Sequence, residues 1–289
     1  MWPSNQPTDT ASETASACVI NIQADTNREL RAKVLRGLEQ FNLNSVTYCK
    51  AAANDVLHTV KVEHFPYPGG LQSDEMERLY DNHLSRSKTA LPIYSGLRLS
   101  GPDERCTYCA SQTADSLDHF IPKKEYSALA IEPWNLVPCC TRCNRNLSRT
   151  WVTEASTRMF HPYFMPDLRR WLYAKIVNCA DPYVVFRAEP DLSLLDAELC
   201  SRISAQFDAL NLQETLGSIA LQELRAIQHR LRTRFNSEAV AREHLQEQAC
   251  ELFELDKNSI RGVLYETAAD DQTFIQNHLR SSAPDPSST

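Results

Sequence analysis

Apolar residues recur at helical spacing in three stretches of the chain. Between Thr26 and Phe41, Leu30, Val34, Leu35 and Leu38 share one face and predict a helix. After Ser73, the residues Met76, Leu79, Tyr80, His83 and Leu84 form an i, i+3, i+4, i+7, i+8 stripe. Asp74 and Glu75 fall in the first turn of that second helix, where the dipole favours acids, and the helix is expected to run to about Ser87 with His83 packed inward. From Leu194 onward the chain reads as helical, with Leu216, Ile219, Ala220, Leu224, Ile227 and Leu231 as the inward positions. Tyr183-Val-Val-Phe is a short strand candidate. Leu117-Asp118-His119 and Leu136-Val137 are two more; Pro138 limits the second, and a helix follows from near Cys140. Polar composition predicts a disordered leader over 1–17 and a disordered tail over 281–289. Between them the expected regions are a helical 18–100, a compact 101–175 that opens at the turn-rich Leu99-Ser-Gly-Pro-Asp-Glu, and a helical 176–280.

Composition narrows the function classes. With 289 residues, 42% of them hydrophobic, the chain can bury a sizeable core. Seven glycines, and neither GxGxxG nor GxxxxGK[ST], argue against a glycine-rich nucleotide cradle. No apolar run approaches the roughly 20 residues that span a bilayer, and the first residues lack the basic and apolar regions of a secretory signal. A soluble, cytoplasmic protein with no membrane association is expected. The net charge of −7 is unevenly spread: residues 1–100 balance at −1, 101–175 at +2 and 176–289 at −8. The mildly basic middle is also where the cysteines pair.

Ten cysteines in a reducing compartment point to metal ligation rather than disulfides. Cys106-Thr-Tyr-Cys109 and Cys140-Thr-Arg-Cys143 are two CxxC pairs separated by residues 110–139. Each pair on a tight turn brings two sulfurs together, and four thiolates suit one tetrahedral, structural Zn²⁺. Cys139 reads as a spare buried thiol. Between the pairs lie Leu117-Asp118-His119-Phe120 and Trp134-Asn135-Leu136, and Asn144-Arg145-Asn146 follows the last cysteine.

In these ordered motifs the stretch from Cys106 to about Arg149 resembles the HNH endonucleases, the zinc-stapled branch of the ββα-metal (His-Me finger) nucleases. The resemblance implies an α+β fold in which a zinc-stapled ββα finger is embedded in a mainly helical body. It implies that His119 is the general base and that Asn135 orients the imidazole. It also implies that Asp118 and Asn144 hold a catalytic divalent ion. Leu147 departs from the pattern, since many members carry Lys there; Arg145 or Arg149 would have to supply that charge. His161-Pro-Tyr-Phe is similar to an element of stand-alone bacterial HNH proteins, including ones encoded beside ATPases in anti-phage systems. Packing with Trp151 and Trp171 is the first expectation for that aromatic cluster.

The residue types suit phosphodiester hydrolysis. A neutral imidazole can take a proton from water, provided its other nitrogen is held to set the tautomer. Carboxylate and amide oxygens are hard donors, so Mg²⁺ or Mn²⁺ is expected at the catalytic site. Lys123, Lys124, Arg142, Arg145 and Arg149 form a candidate phosphate-facing patch. The expected activity is cleavage of DNA in restriction or anti-phage defence. An ATPase or other protein partner would help an acidic chain hold nucleic acid, and a homodimer would let two fingers cut both strands. The alternatives are a zinc-dependent binding module that does not cut, and an RNA-cleaving enzyme with the same finger.

Overall fold

The computed structural model describes residues 1–22, 24–147 and 157–279. The chain divides into two compact units, Met1–Pro166 and Asp167–Thr289. Among the described residues it is α+β: mainly helical, with two small two-stranded antiparallel sheets. No helix among the described residues is long and apolar enough to cross a membrane.

In the first unit, helices α1 (Ala11–Val19), α2 (Ala24–Arg36), α3 (Leu38–Ala53), α4 (Ser73–Arg78) and α5 (Leu91–Leu99) precede the first sheet. Its strands are β1 (Ser116–His119) and β2 (Leu136–Cys139), and α6 (Thr141–Leu147) follows. Residues 1–17 are not the disordered leader that their composition predicts. Thr10 caps α1 through a capping box with Glu13. Met1 and Trp2 are buried, with the Trp2 N–H bonded to the Thr107 carbonyl at 2.8 Å. Tertiary partners therefore supply the order that local composition does not.

The predicted helix over Thr26–Phe41 is two helices, broken at Gly37. A Cβ there would lie 2.6 Å from the Gly69 nitrogen, so the Pro68–Gly70 turn packs against this bare backbone. After Arg78 the chain widens into a π-helical turn, Leu79–Leu84. Met76, Leu79 and Leu84 are fully buried, whereas Tyr80 and His83 are only half-buried. With Leu30, Val34 and Phe41 they form a core that reaches Leu117 and Leu136 of the sheet.

Strand β1 pairs with β2 from Ser116 opposite Cys139 to His119 opposite Leu136. Pro138 does not end β2 as expected but pairs with Leu117. Its carbonyl points away from β1 to accept from the Thr107 N–H at 3.1 Å. In extended backbone its nitrogen faces the same way, so the missing N–H costs the ladder nothing.

In the second unit, β3 (Leu172–Val177) and β4 (Tyr183–Ala188) pair antiparallel. Among the described residues, helices α7 (Ala197–Ala209), α8 (Leu212–Arg234), α9 (Glu238–Leu255), α10 (Ile260–Asp270) and α11 (Gln272–His278) follow. The stripe expected on α8 is buried at Leu216, Ala220, Leu224, Ile227 and Leu231, while Ile219, also expected inward, is only half-buried. Strand β3 carries no clean alternation and was not expected. The predicted tail over 281–289 lies outside the described residues.

Candidate functional site

Cys106 and Cys109 sit on one turn, and Cys140 and Cys143 on another at the start of α6. The 110–139 segment folds back as the β1–β2 hairpin and brings the turns together. All four sulfurs are buried and lie within 4.8 Å of one another, and all four cysteines are free thiols. The regular tetrahedron set by Zn–S bonds of about 2.3 Å has sulfur–sulfur edges of about 3.8 Å. This donor set therefore fits a structural zinc. Neighbouring thiols hold Cys109 and Cys140 below the usual thiol range, while burial pushes Cys106 up. Cys139 stays out of the cluster, 3.3 Å from the Ser116 hydroxyl, and burial raises its thiol well above the usual range.

Residues Ser116 and Asp118 lie on one face of β1, two apart. The Tyr108 hydroxyl, between the first two cysteines, donates to Asp118 Oδ2 at 2.9 Å. Burial nevertheless pushes the Asp118 carboxyl up to about 7, so a cation beside it would favour the ionised form. On α6, Asn144 donates through Nδ2 to the Ser116 hydroxyl at 3.4 Å. The amide oxygen of Asn144 and the carboxylate of Asp118 are hard donors of the type Mg²⁺ and Mn²⁺ prefer.

At the end of β1 the ring of His119 sits edge-on to Tyr80, with centroids 4.4 Å apart. Its Nε2–H donates to the Ala130 carbonyl at 2.9 Å. Burial pulls this imidazole down to about 4, so it is neutral near pH 7 with its lone pair on Nδ1. The residue expected to hold the ring, Asn135, makes no hydrogen bond to it. Asn135 is fully buried, and its Oδ1 accepts from the Ile121 N–H (2.7 Å) and the Tyr48 hydroxyl (3.1 Å). Its Nδ2 donates to the carbonyls of Ile121 (3.2 Å) and Leu129 (3.4 Å). With all four of its hydrogen bonds committed to the 121–129 loop and Tyr48, Asn135 has none left for the imidazole. The loop it pins leads directly into Ala130, which supplies the contact instead.

The basic patch is uneven. Lys123 is salt-bridged to Asp81 at 2.7 Å and lies over the Tyr80 ring, 4.7 Å from its centroid. Lys124, Arg142 and Arg145 are exposed, and Arg149 lies outside the described residues. Leu147 turns inward and is buried, so its position offers no charge to a phosphate.

The His161-Pro-Tyr-Phe element packs differently from expectation. Phe164 stacks on Trp134, and Phe120 lies against His161 at 4.2 Å between centroids. Trp171 belongs to the second unit, where it meets Phe207, and Trp151 lies outside the described residues. The Tyr163 hydroxyl donates to the Leu136 carbonyl at 2.7 Å, next to Asn135. Sequence reasoning did not find Tyr48, Tyr80, Tyr108 or the Ala130 carbonyl. An aromatic residue at helical spacing reads as core, and a backbone carbonyl has no side-chain signature.

An antiparallel hairpin that ends in an Asp-His pair, followed by a helix and clasped by four cysteines, defines a zinc-finger-like ββα unit with a polar centre. Residues 106–150 match the family model for HNH endonuclease, and this segment is an HNH domain. The chain is also similar to protein Ea31 of Escherichia phage lambda, at 30% identity over 128 residues. That match covers 42% of this chain and 43% of Ea31, so the chain spans less than half of the length of this curated relative. No solved structure matches. HNH membership ties the segment to nucleic-acid cleavage or binding and to metal.

Proposed function

We propose that this chain is a metal-dependent endonuclease that hydrolyses DNA phosphodiesters with His119 as general base. The observation that carries the reading is the Ala130 carbonyl at 2.9 Å from His119 Nε2, which leaves Nδ1 free of that bond as the proton acceptor. Asp118 and Asn144 would hold Mg²⁺ or Mn²⁺. Bound there, the ion would neutralise charge on the scissile phosphate and on the leaving oxygen. The chain's own part is then to accept the proton of the attacking water at Nδ1 and to keep the ring neutral by burial. Tyr108 steadies the Asp118 carboxylate, and Asn135 pins the loop that ends at Ala130. The four cysteines would hold zinc and fix the two strand ends against α6.

The proposed substrate contacts are Lys124, Arg142, Arg145 and Arg149, with Lys123 available once a phosphate displaces Asp81. An anti-phage role with an ATPase partner, and a homodimer for double-strand cuts, extend this reading on the resemblance of the His161–Phe164 element.

The test is nicking of supercoiled plasmid with added Mg²⁺ or Mn²⁺, with labelled RNA offered in parallel. Wild type converts plasmid to the open circle, and His119→Ala slows this by about 10²- to 10⁴-fold. Equal cleavage by His119→Ala would reject the base. Loss of all cutting in zinc-loaded wild type, with DNA still bound, would favour the non-cleaving module. Cleavage confined to RNA would reassign the substrate.

A further inference from the structure

Two side chains from outside the HNH segment converge on its buried asparagine. Tyr48, on α3, has no measurable exposure, and His161 is 5% exposed. The Tyr163 N–H donates to His161 Nδ1 at 3.2 Å, so in the neutral ring the proton is on Nε2. That Nε2–H lies 3.0 Å from the Tyr48 oxygen and donates to it. The single hydroxyl proton of Tyr48 is then directed to Asn135 Oδ1 at 3.1 Å. The direction of the chain is fixed at both ends. The Ile121 N–H at 2.7 Å can only donate, so it forces Oδ1 rather than Nδ2 to face it and Tyr48.

From Asn135 the line continues into the imidazole. Its Nδ2 bonds the carbonyl of Leu129, and the next carbonyl, Ala130, receives His119 Nε2–H. Its backbone oxygen accepts from the Phe120 N–H at 2.9 Å, one residue beyond His119. The Phe120 ring in turn lies against His161. Two routes, one polar and one through packing, thus connect His161 to the segment that aims His119.

We propose that Tyr48 and His161 are positioning residues for the hydrolysis. They fix the Asn135 amide and, through the loop it pins, the tautomer and angle of His119. The inference rests on the reading of His119 as base, and it predicts a property of the free protein as well as a rate.

The full-length, zinc-loaded chain is compared as wild type, Tyr48→Phe, His161→Ala and His161→Gln. Plasmid or oligonucleotide nicking with Mn²⁺ gives kcat and KM, and ¹⁵N NMR of the imidazoles gives the His119 tautomer without any cleavage. Tyr48→Phe keeps the ring and removes one hydroxyl. It is expected to lower kcat about 10- to 100-fold with KM within about twofold, and to convert a single Nε2–H tautomer of His119 into a mixture. His161→Ala should behave alike, whereas His161→Gln, whose amide presents a donor near the Nε2 position, should recover most of kcat. The proposal is overturned if Tyr48→Phe leaves both kcat and the His119 signals as in wild type. It is equally overturned if His161→Gln is as impaired as His161→Ala, since a filled cavity rather than a donor would then be at work. A tautomer that shifts in Tyr48→Phe while wild type cuts nothing would keep the positioning network and discard the nuclease reading.

Discussion

At one end of the β1–β2 hairpin, four thiols from two short turns gather within one donor set. At the other, a single imidazole is fixed by groups from widely separated stretches of the chain. At the cysteine end the sulfurs themselves come from two local turns joined by one hairpin, which bring them within 4.8 Å of one another. The histidine end is borrowed. Tyr48 comes from α3, Tyr80 from the π-helical turn, Ala130 from a loop and His161 from beyond the HNH segment. A short motif can thus supply all four sulfurs of a metal clasp, whereas the groups around this imidazole come from several distant stretches of the chain.

Breaking the cysteine end should have the largest effect. Structural zinc in small fingers contributes on the order of 10 kcal/mol of apparent folding free energy at neutral pH. Cys106→Ser, or a strong chelator, should abolish zinc binding and the amide protection of residues 106–147, as read by hydrogen exchange. Unchanged protection after zinc removal would show that the hairpin stands on packing alone.

Breaking the histidine end should spare the fold. His119→Ala is expected to remove about 3 to 5 kcal/mol of transition-state stabilisation while zinc content and melting temperature stay near wild type. A large drop in melting temperature would mean that His119 serves the fold rather than a reaction.

A third prediction concerns the buried acid beside Tyr48. Burial pushes Glu132 up to about 7, against an ordinary value near 4.5, although it accepts from the Ser45 hydroxyl at 2.9 Å and the Trp134 N–H at 3.3 Å. A carboxyl raised on folding is protonated in the native state at pH values where the unfolded chain has already lost the proton. Its stabilisation is therefore full below about 4.5 and lost as pH rises through 7. Glu132→Gln keeps the acceptor oxygen and removes this loss. It should gain on the order of 3 kcal/mol at pH 8 and nothing at pH 4, as measured by chemical denaturation at the two pH values. An equal effect at both would place the cause elsewhere.

The smallest prediction sharpens the cysteine end. Ala110 follows the first pair with φ at +49°, and its N–H closes the turn onto the Cys106 carbonyl at 2.7 Å. That backbone strains an alanine and suits a glycine, so Ala110→Gly should stabilise by about 1 kcal/mol and raise the melting temperature by a few degrees. A lowered melting temperature would show that the turn tolerates Ala110 without strain.

The contrast also explains what could be read from the residues alone. The two CxxC pairs are legible because their geometry is local, and the order of Asp118, His119, Asn135 and Asn144 along the chain marks the finger. The stripe on α8 is legible because burial on one helix face leaves a periodic trace. Other features depend on a distant partner. Gly37 breaks a helix because the Pro68–Gly70 turn needs its bare backbone, and nothing near Gly37 records that. Residues 1–17 look like a solvated leader, yet Trp2 is seated by the Thr107 carbonyl. Pro138 looks like a strand terminator, but only pairing reveals that its nitrogen faces outward. Asn135 was assigned to the imidazole because it stands where the motif places such a residue; its actual partners lie in its own loop and on α3.

The most direct measurement counts zinc and plasmid nicks on the same preparations of wild type, Cys106→Ser and His119→Ala. The predicted result is one zinc per chain and Mn²⁺-dependent nicking in wild type. His119→Ala should carry one zinc without nicking, and Cys106→Ser neither. Nicking that follows protein lacking zinc, or that persists in His119→Ala, would contradict a clasp that exists to present this imidazole.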